Sequence, residues 1–569
     1  MKKNLLMFSG VLSIPLSILS IIIINNAFRN ILKENLISFR SGSIITIGVF
    51  IGILIYHSFQ YLFEGKRDFT PVNFRSPVYK SSEKRTSMRP KVDSFLLSTQ
   101  PEGFVIGRQD SFLGRKLVRI PIDDTGKNQG NQNLLILGGP GSYKTVTILN
   151  LILGMKMTGR KASAFIIDRK PDLTIRSFDQ SDNDSIRILR PTVSPESDPY
   201  TDPGWVIDPL YGLNEESPEY SVLERANLIG RSLVQMPEDG RNSYFYKNAA
   251  TLMSGIILYG FYRGKCFIDI MLQIRMIPTD DLIAEILCDK DTIEKHPIIL
   301  GMIRIFDTDG KNESIRDIQT TLQTDTEIFL DSRVQWHFRE NANKFSPEVL
   351  DEGTSISLEI PDHLGKQFQA LNSLYTELVI DCLRSMSEER RNRSGAPMIY
   401  LICDEAGSYK IPSLLEALAL MRSRRVSMII SVQSLDQIKN PGMYGQTGLN
   451  TILDTIETFL VLSCHSVESA RIFCEWTGKY SERKISVSSK GLLAPEISLN
   501  EGSEKYNIID ISDVLQLRQN REALLFINGK HYIFQKNPYF EIPDYLKLSD
   551  SYQTINKARR HTDEREPAI

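Results

Sequence analysis

The chain has 569 residues, enough at ~150 residues per domain for three or four units, or for one large domain carrying an insertion. Hydrophobic residues make up 41% and charged residues 24%, which excludes a wholly disordered chain and leaves ample side chains for a core. The formal net charge of −2 argues neither for nor against a nucleic-acid partner, so only local patches bear on that question. The six cysteines, Cys266, Cys288, Cys382, Cys403, Cys464 and Cys474, include no C-x-x-C pair. A zinc ribbon and a disulfide scaffold are therefore disfavoured, and the cysteines read as buried, reduced thiols.

Residues 4–28 and 41–63 carry no charge. Each run meets the ~20 apolar residues that cross a bilayer, and Pro15 is tolerable within the first. The first run is too long for a cleaved signal peptide and no small-x-small site follows it. The connecting loop, about 26–42, holds Arg29, Lys33 and Arg40, whereas residues 64–91 hold Lys66, Arg67, Arg75, Lys80, Lys84, Arg85, Arg89 and Lys91. The heavier basic cluster stays inside, so both termini are expected in the cytoplasm. The expectation is a multi-pass protein of the cytoplasmic membrane with most of its chain in the cytoplasm. The cluster is also placed to meet anionic lipid heads.

Residues 133–151 read NLLILGGPGSYKTVTILNL. An apolar strand, LLIL, leads into Gly138, Gly139, Pro140, Gly141, Ser142, Tyr143, Lys144 and Thr145, and a segment of helical spacing follows. Strand, glycine-rich loop and helix are the setting of a phosphate-binding loop. The glycines aim backbone N–H groups at phosphate oxygens, Lys144 neutralises the β- and γ-phosphates, and the Thr145 hydroxyl is a Mg²⁺ ligand. The positive end of the following helix faces the nucleotide. The pattern G-x-x-x-x-G-K-[ST] asks for glycine at its sixth position, where this chain has Tyr143. Taken alone, the motif is also compatible with a turn before a helix that happens to contain Lys-Thr.

A second buried-type strand, ASAFIID (162–168), ends in Asp168 and Lys170 of DRKPD, where a plain turn competes with a functional role. The run IYLIC (399–403) ends in Asp404-Glu405. That is a Walker B arrangement, in which Asp404 holds Mg²⁺ through water and Glu405 orients and activates the attacking water. A helix (413–421) then leads into Arg422, Arg424 and Arg425, and the strand VSMIISV (426–432) ends at Gln433. Gln433 suits a sensor of the γ-phosphate. The arginines read either as fingers reaching a neighbour's nucleotide or as a solvated or DNA-facing cluster. The basic stretch RSMSEERRNR (384–393) is equally compatible with a solvated loop and a DNA contact.

Together these segments resemble the type IV coupling proteins of conjugative DNA transfer and type IV secretion. The likeness includes the two spans, the phosphate loop, DRKPD, DPLYGLNEESPEY (208–220), NSYFYKNAATLMSGIILYG (242–260) and SISLEIPDHLGKQFQALNSLYTELVIDCL (355–383). Its most specific part is DEAGSYKIPSLLEALALMRSRRVSMIISVQSLDQI (404–438). ETFLVLSCHSVESARIFCEWTG (457–478) and LLFINGKHYIFQKNPYF (524–540) extend it, so that it spans about 5–545. GGPGSYKT, with its tyrosine, and the very short outer loop are similar to the Gram-positive branch. The resemblance implies a RecA-like α/β core with an inserted all-α subdomain. The expected division is a membrane anchor (1–63), a cytosolic lead-in (64–130), the core in two parts (131–264 and 343–549) around a helical insertion (265–342), and a disordered tail (550–569).

The resemblance further implies a homo-hexamer that uses ATP and Mg²⁺ to pass relaxase-bound single-stranded DNA to a secretion channel. Relaxase, accessory proteins and channel components are its implied partners. It favours Arg422 as a finger acting on the neighbouring subunit, with Arg424 second. Two alternatives stand beside it. One is a docking receptor with little ATPase activity, for which Tyr143 is the main argument. The other is an FtsK-like translocase, for which four spans, a long linker and a C-terminal winged-helix module would be expected in place of a tail of about 20 residues.

Overall fold

Strands buried on both faces read as unbroken apolar runs, because neither side of the pleat meets water. LLIL, ASAFIID, IYLIC and VSMIISV behave in this way. In the computed structural model the strands in chain order are β1 (Leu97–Ser98), β2 (Phe104–Ser111), β3 (Gly114–Ile120), β4 (Leu134–Leu137), β5 (Ala162–Asp168), β6 (Ile186–Leu189) and β7 (Ser355–Glu359). They continue as β8 (Met398–Cys403), β9 (Val426–Val432), β10 (Thr458–Val461), β11 (Lys479–Ser489), β12 (Ile497–Asn507), β13 (Glu522–Ile527) and β14 (Lys530–Gln535).

The structure describes residues 91–563 apart from 101–102, 112–113, 121–132, 160, 199–200, 235–242, 308–312 and 490–496. The two expected spans and all of the basic cluster except Lys91 lie outside the described residues. Among the described residues no helix is long and apolar enough to cross a membrane.

Twelve strands form one sheet in the order β1-β3-β2-β14-β13-β10-β4-β9-β8-β5-β7-β6. From β10 to β6 all pairings are parallel. From β10 outward through β13, β14, β2 and β3 to β1 they are antiparallel. The result is a mixed α/β fold with a large parallel sheet. The stretch expected as a lead-in supplies β1–β3 and so extends the sheet.

Alternate side chains of each parallel strand enter different cores, as the two-residue period of a strand requires. Leu135, Leu137, Phe165, Ile167, Ile399 and Leu401 face one core. Leu134, Ile136, Ala164, Ile166, Tyr400 and Ile402 face the other. The helix Lys144–Met157 covers the second face with Ile148, Leu151, Ile152 and Met155. Each fully buried Leu or Ile of this kind contributes about 1.5–3 kcal/mol.

Between β6 and β7 the chain is helical from Glu219–Leu233 to Ser332–Arg339. The expected insertion, 265–342, lies within this run, and the helix Ser243–Tyr262, apolar almost all round, packs against Glu219–Leu233, Pro297–Ile303 and Glu313–Asp325 alike.

The tail expected to be disordered from 550 is helical as part of Pro543–Asp563. Polarity misleads here because a few side chains tie the helix down. Tyr545 is fully buried. Asn556 Nδ2 donates to the carbonyls of Ile175 and Phe178, both at 2.9 Å. The Lys156 ammonium lies 3.7 Å from the Phe178 ring centre and 4.8 Å from that of Tyr552.

β11 and β12 pair only with each other and belong to a separate unit. Within that hairpin the Tyr480 and Tyr506 rings lie 5.8 Å apart.

Candidate active site

In open α/β sheets ligands bind beyond the carboxyl ends of parallel strands, where backbone groups and helix N-termini are free. Here β4, β8 and β9 are adjacent, so the residues that follow them meet. Gly138 N donates to the Val432 carbonyl at 3.0 Å, which ties the phosphate loop to the end of β9 and to Gln433. Gly139 N donates to Ser463 Oγ at 2.8 Å. A Cβ on Gly139 would lie 2.6 Å from the His465 ring, so any residue but glycine there would require that exposed side chain to shift.

Tyr143 holds φ 76° and ψ 23°, the left-handed conformation that the missing glycine would supply. Outside glycine this conformation costs about 1–2 kcal/mol. Neighbouring bonds hold it in place. The Tyr143 carbonyl accepts from Thr147 N at 2.8 Å and Thr147 Oγ1 at 2.9 Å, and the Tyr143 side chain is bonded by Arg521.

The Lys144 side chain is buried. Burial pushes its ammonium below the usual lysine range, against the opposing pull of Asp404 and Glu405. A buried cation at the start of a helix, with two carboxylates nearby, is an arrangement suited to phosphate oxygens.

Asp404 is held on both oxygens. Oδ2 accepts from Thr145 Oγ1 at 3.3 Å, and Oδ1 accepts from Glu405 N at 3.0 Å and from Ser431 Oγ. Ser431 Oγ also accepts from Glu405 N at 3.1 Å, and the Ser431 carbonyl accepts from Ala406 N at 2.9 Å. Glu405 adopts φ 52°, so the chain turns sharply as soon as it leaves β8. The Thr145 hydroxyl and the Asp404 carboxylate are hard oxygen donors within hydrogen-bond distance of each other, which fits Mg²⁺. That ion is usually held by one or two carboxylates, water and substrate phosphate.

Asp168 turns out to organise its own turn. Its Oδ2 accepts from Thr174 N and Thr174 Oγ1, both at 2.9 Å, and Oδ1 accepts from Lys170 N at 3.2 Å. Burial first, then Glu359, pushes its carboxyl well above the usual carboxylate range. Gln433 sits at the carboxyl end of β9 as expected, with its backbone N–H donating to Gln437 Oε1 at 3.0 Å.

Arg422 and Arg424 are not brought to this site within the chain. They precede the amino end of β9, about 20 Å away along a seven-residue strand. Arg422 Nη1 donates to Glu457 Oε1 at 2.6 Å, and Arg424 Nε donates to the Met386 carbonyl at 3.3 Å. The basic stretch 384–393 is largely exposed, but its arginines are engaged in ion pairs within the chain. Arg391 is fully buried and bonds Asp351, and Arg390 and Arg393 bond the same carboxylate at 2.9 Å.

Sequence reasoning missed Ser431, Ser463, His465, Arg518 and Arg521. A serine within VSMIISV was a usable signal, since a polar group in a fully buried strand needs a partner. Arg518 offered none: its Nη2 lies 2.9 Å from where a Cβ on Gly141 would sit, yet the two residues are hundreds of positions apart.

Residues 398–519 match the family described as the TraM recognition site of TraD and TraG. The fold is similar to that of the bacterial conjugative coupling protein TrwB lacking its first 70 residues. In its unbound form the TM-score is 0.56 at 15% identity, over 80% of this chain and 91% of that one. TrwB with the non-hydrolysable ATP analogue ADPNP also gives 0.56, at 14% identity over 80% and 92% of the two chains. TrwB with ADP and Mg²⁺ gives 0.53, at 14% identity over 72% and 85%. A search of curated proteins finds no match.

Proposed function

We propose, from the likeness to type IV coupling proteins carried by residues 398–519 and by the fold, that this protein is an ATPase of conjugative DNA transfer. The observation that carries the reading is the convergence of Lys144, Thr145, Asp404 and Glu405 at one point of the sheet edge. Loop N–H groups and Lys144 take the phosphates of ATP. Thr145 and Asp404 would hold Mg²⁺, which when bound would supply positive charge to the phosphate oxygens. Glu405, at the sharp turn after β8, orients water for in-line attack on the γ-phosphate. Gln433, tied to the phosphate loop through Val432, reports the loss of that phosphate to the helix Leu435–Lys439.

On this reading the chain is a homo-hexamer anchored in the cytoplasmic membrane by residues 1–63. It recruits relaxase-bound single-stranded DNA and accessory proteins and delivers the strand to a type IV secretion channel. Arg422, with Arg424 second, completes the site of the neighbouring subunit. The TraD and TraG likeness favours this over an FtsK-like translocase. The docking-receptor alternative loses its main argument, because Tyr143 supplies the backbone conformation that glycine would.

The test is ATP turnover and nucleotide binding by the full-length chain. Lys144→Ala is expected to weaken nucleotide binding. Glu405→Gln is expected to bind ATP and hydrolyse it about 10²–10⁴-fold more slowly, since only water activation is lost. Unchanged turnover in Glu405→Gln overturns the assignment.

A further inference from the structure

Two arginines from the far end of the sequence close on the phosphate loop from outside. The Arg518 guanidinium lies against Gly141, with Nη2 2.9 Å from where a Cβ would sit. Arg521 reaches the side chain of Tyr143, two residues further along the same loop. Both arginines stand on the short connection between the helix Ile511–Gln516 and β13. Backbone bonds close that connection into a firm turn. Asn520 N donates to the Gln516 carbonyl at 3.0 Å, Arg521 N to the Arg518 carbonyl at 3.2 Å and Glu522 N to the Leu517 carbonyl at 2.9 Å. Gly141 at φ 70°, Tyr143 at φ 76° and Arg521 at φ 54° are all left-handed, so loop and turn are both sharply bent where they approach each other.

The two arginines differ in what they are bonded to. Arg521 Nη2 donates to Glu541 Oε1 at 2.7 Å, and the other oxygen of that carboxylate takes Arg108 Nη1. Arg518 is exposed, and its side chain makes no hydrogen bond or ion pair among the described residues. Lys536, donating to the Leu462 carbonyl at 2.6 Å, adds a like charge within electrostatic reach of both arginines. Three cations thus stand beside the loop, and the one carboxylate among them, Glu541, is already taken by Arg521 and Arg108. A solvated arginine ordinarily turns away from like charges. This one lies on the backbone of a loop built for phosphate with all five donors unspent, and its planar fork matches phosphate oxygens.

We propose that Arg518 binds the phosphate chain of the nucleotide from within the same subunit, and that Tyr143 keeps it in place by tethering Arg521. Arg518 is then a third source of positive charge at the phosphates, beside Lys144 and the loop N–H groups. Tyr143 and Arg521 are positioning residues. They hold the turn that carries Arg518 against the loop. The tyrosine at the sixth position of the motif accordingly does something glycine cannot: glycine adopts the left-handed conformation more readily but offers no side chain to Arg521. Arg518 works in the opposite sense to Arg422, which is bonded at the amino end of β9 and faces no phosphate group of its own chain. The proposal rests on the ATPase reading above and adds which residues of the C-terminal part hold its substrate.

The experiment uses the full-length chain, the binding of N-methylanthraniloyl-ATP with Mg²⁺, and steady-state ATP turnover. Arg518→Met keeps an unbranched stem over Gly141 and removes the charge. It is expected to weaken binding and raise KM about tenfold with kcat changed less than about threefold, because phosphate charge is present in substrate and transition state alike. Arg518→Lys, which keeps the charge but not the fork, is expected to recover part of that loss. A side chain that only braced the loop would be replaced as well by methionine as by lysine, and that result overturns the proposal. Tyr143→Gly, which completes the motif, and Tyr143→Phe, which removes only the hydroxyl, are each expected to weaken binding about threefold, and to add little once Arg518→Met is present. Binding unmoved or improved by Tyr143→Gly overturns the tether. The unaltered chain and Lys144→Ala test the ATPase reading separately. Nucleotide bound by the first and lost in the second leaves that reading standing whatever Arg518 does, and no nucleotide bound by the unaltered chain removes both.

Discussion

The two edges of the parallel sheet carry similar side chains to opposite ends. At the amino edge Asp351 is almost completely buried and gathers Arg390, Arg391 and Arg393. Burial pushes its carboxyl up, but the bonds from Arg393, Arg390 and Arg391 prevail and hold it below the usual carboxylate range. The remaining donors of Arg391 reach the carbonyls of Arg424 at 3.1 Å and Pro397 at 2.8 Å, and Arg422 pairs with Glu457. At the carboxyl edge Lys144 lies buried beside the phosphate loop, and the cavity lined by Arg169, Arg231, Lys247, Lys366 and Lys410 has one carboxylate, Asp362, among its described residues. A cation with its own carboxylate and backbone acceptors holds the fold together. A cation without them is left for a ligand. Density of Lys and Arg in the sequence does not separate the two; partnership does.

Three outcomes test this contrast, from the largest effect downward. Asp351→Ala leaves three arginines, one of them fully buried, without their shared counter-charge. It is expected to lower stability by about 3–5 kcal/mol in urea unfolding. A loss below about 1 kcal/mol would mean that the amino-edge network is ornamental and the contrast false.

The carboxyl edge should show the reverse, a charge whose burial destabilises. Lys536, donating to the Leu462 carbonyl at 2.6 Å, is pushed down to about 8 by burial and by Arg518 and Arg521. The folded chain gives up this proton near pH 8, whereas the unfolded chain keeps it to about 10.5. The unfolded state thus binds the extra proton between those values, and raising the pH through that window stabilises the fold, by about 1.4 kcal/mol per unit at most. The difference between the stability curves of the unaltered chain and Lys536→Met isolates the effect. It should grow through pH 8–10.5 and stay flat below; a flat difference throughout contradicts the burial argument.

The smallest effect concerns Arg422, whose pair with Glu457 is half exposed. Arg422→Ala is expected to change stability by less than about 1 kcal/mol. Its measurable consequence lies between subunits. If Arg422 acts on the neighbour's nucleotide, Arg422→Ala subunits mixed with Lys144→Ala subunits regain turnover that neither shows alone. Absence of rescue, with DNA-free turnover intact in Arg422→Ala, retires the finger and leaves Arg422 as an amino-edge ion pair.

The carboxyl-edge chemistry was legible where it lies in short continuous runs. LLIL followed by GGPGSYKT, and IYLIC followed by Asp404-Glu405, place strand, turn and functional group within a dozen residues, so local pattern suffices. The place of Gln433 at the carboxyl end of β9 was legible for the same reason. The left-handed conformation of Tyr143 was not legible, because residue type indicates only a preferred conformation. The helix to Asp563 was hidden because it depends on packing partners far along the chain.

The sequence by itself determined the strands, the phosphate loop, the acidic pair and the α/β class. Each follows from hydrophobic period and from residues adjacent in the chain. Only the tertiary structure decided which cations serve architecture and which remain open. Asp351 lies about 40 residues from the arginines it gathers, Arg518 reaches the phosphate loop from the far side of the chain, and hydrogen bonds from Arg169 through Ser408 to Glu405 join the ends of two different strands. Charge compensation acts through space over a few ångströms, and chain separation carries no record of it.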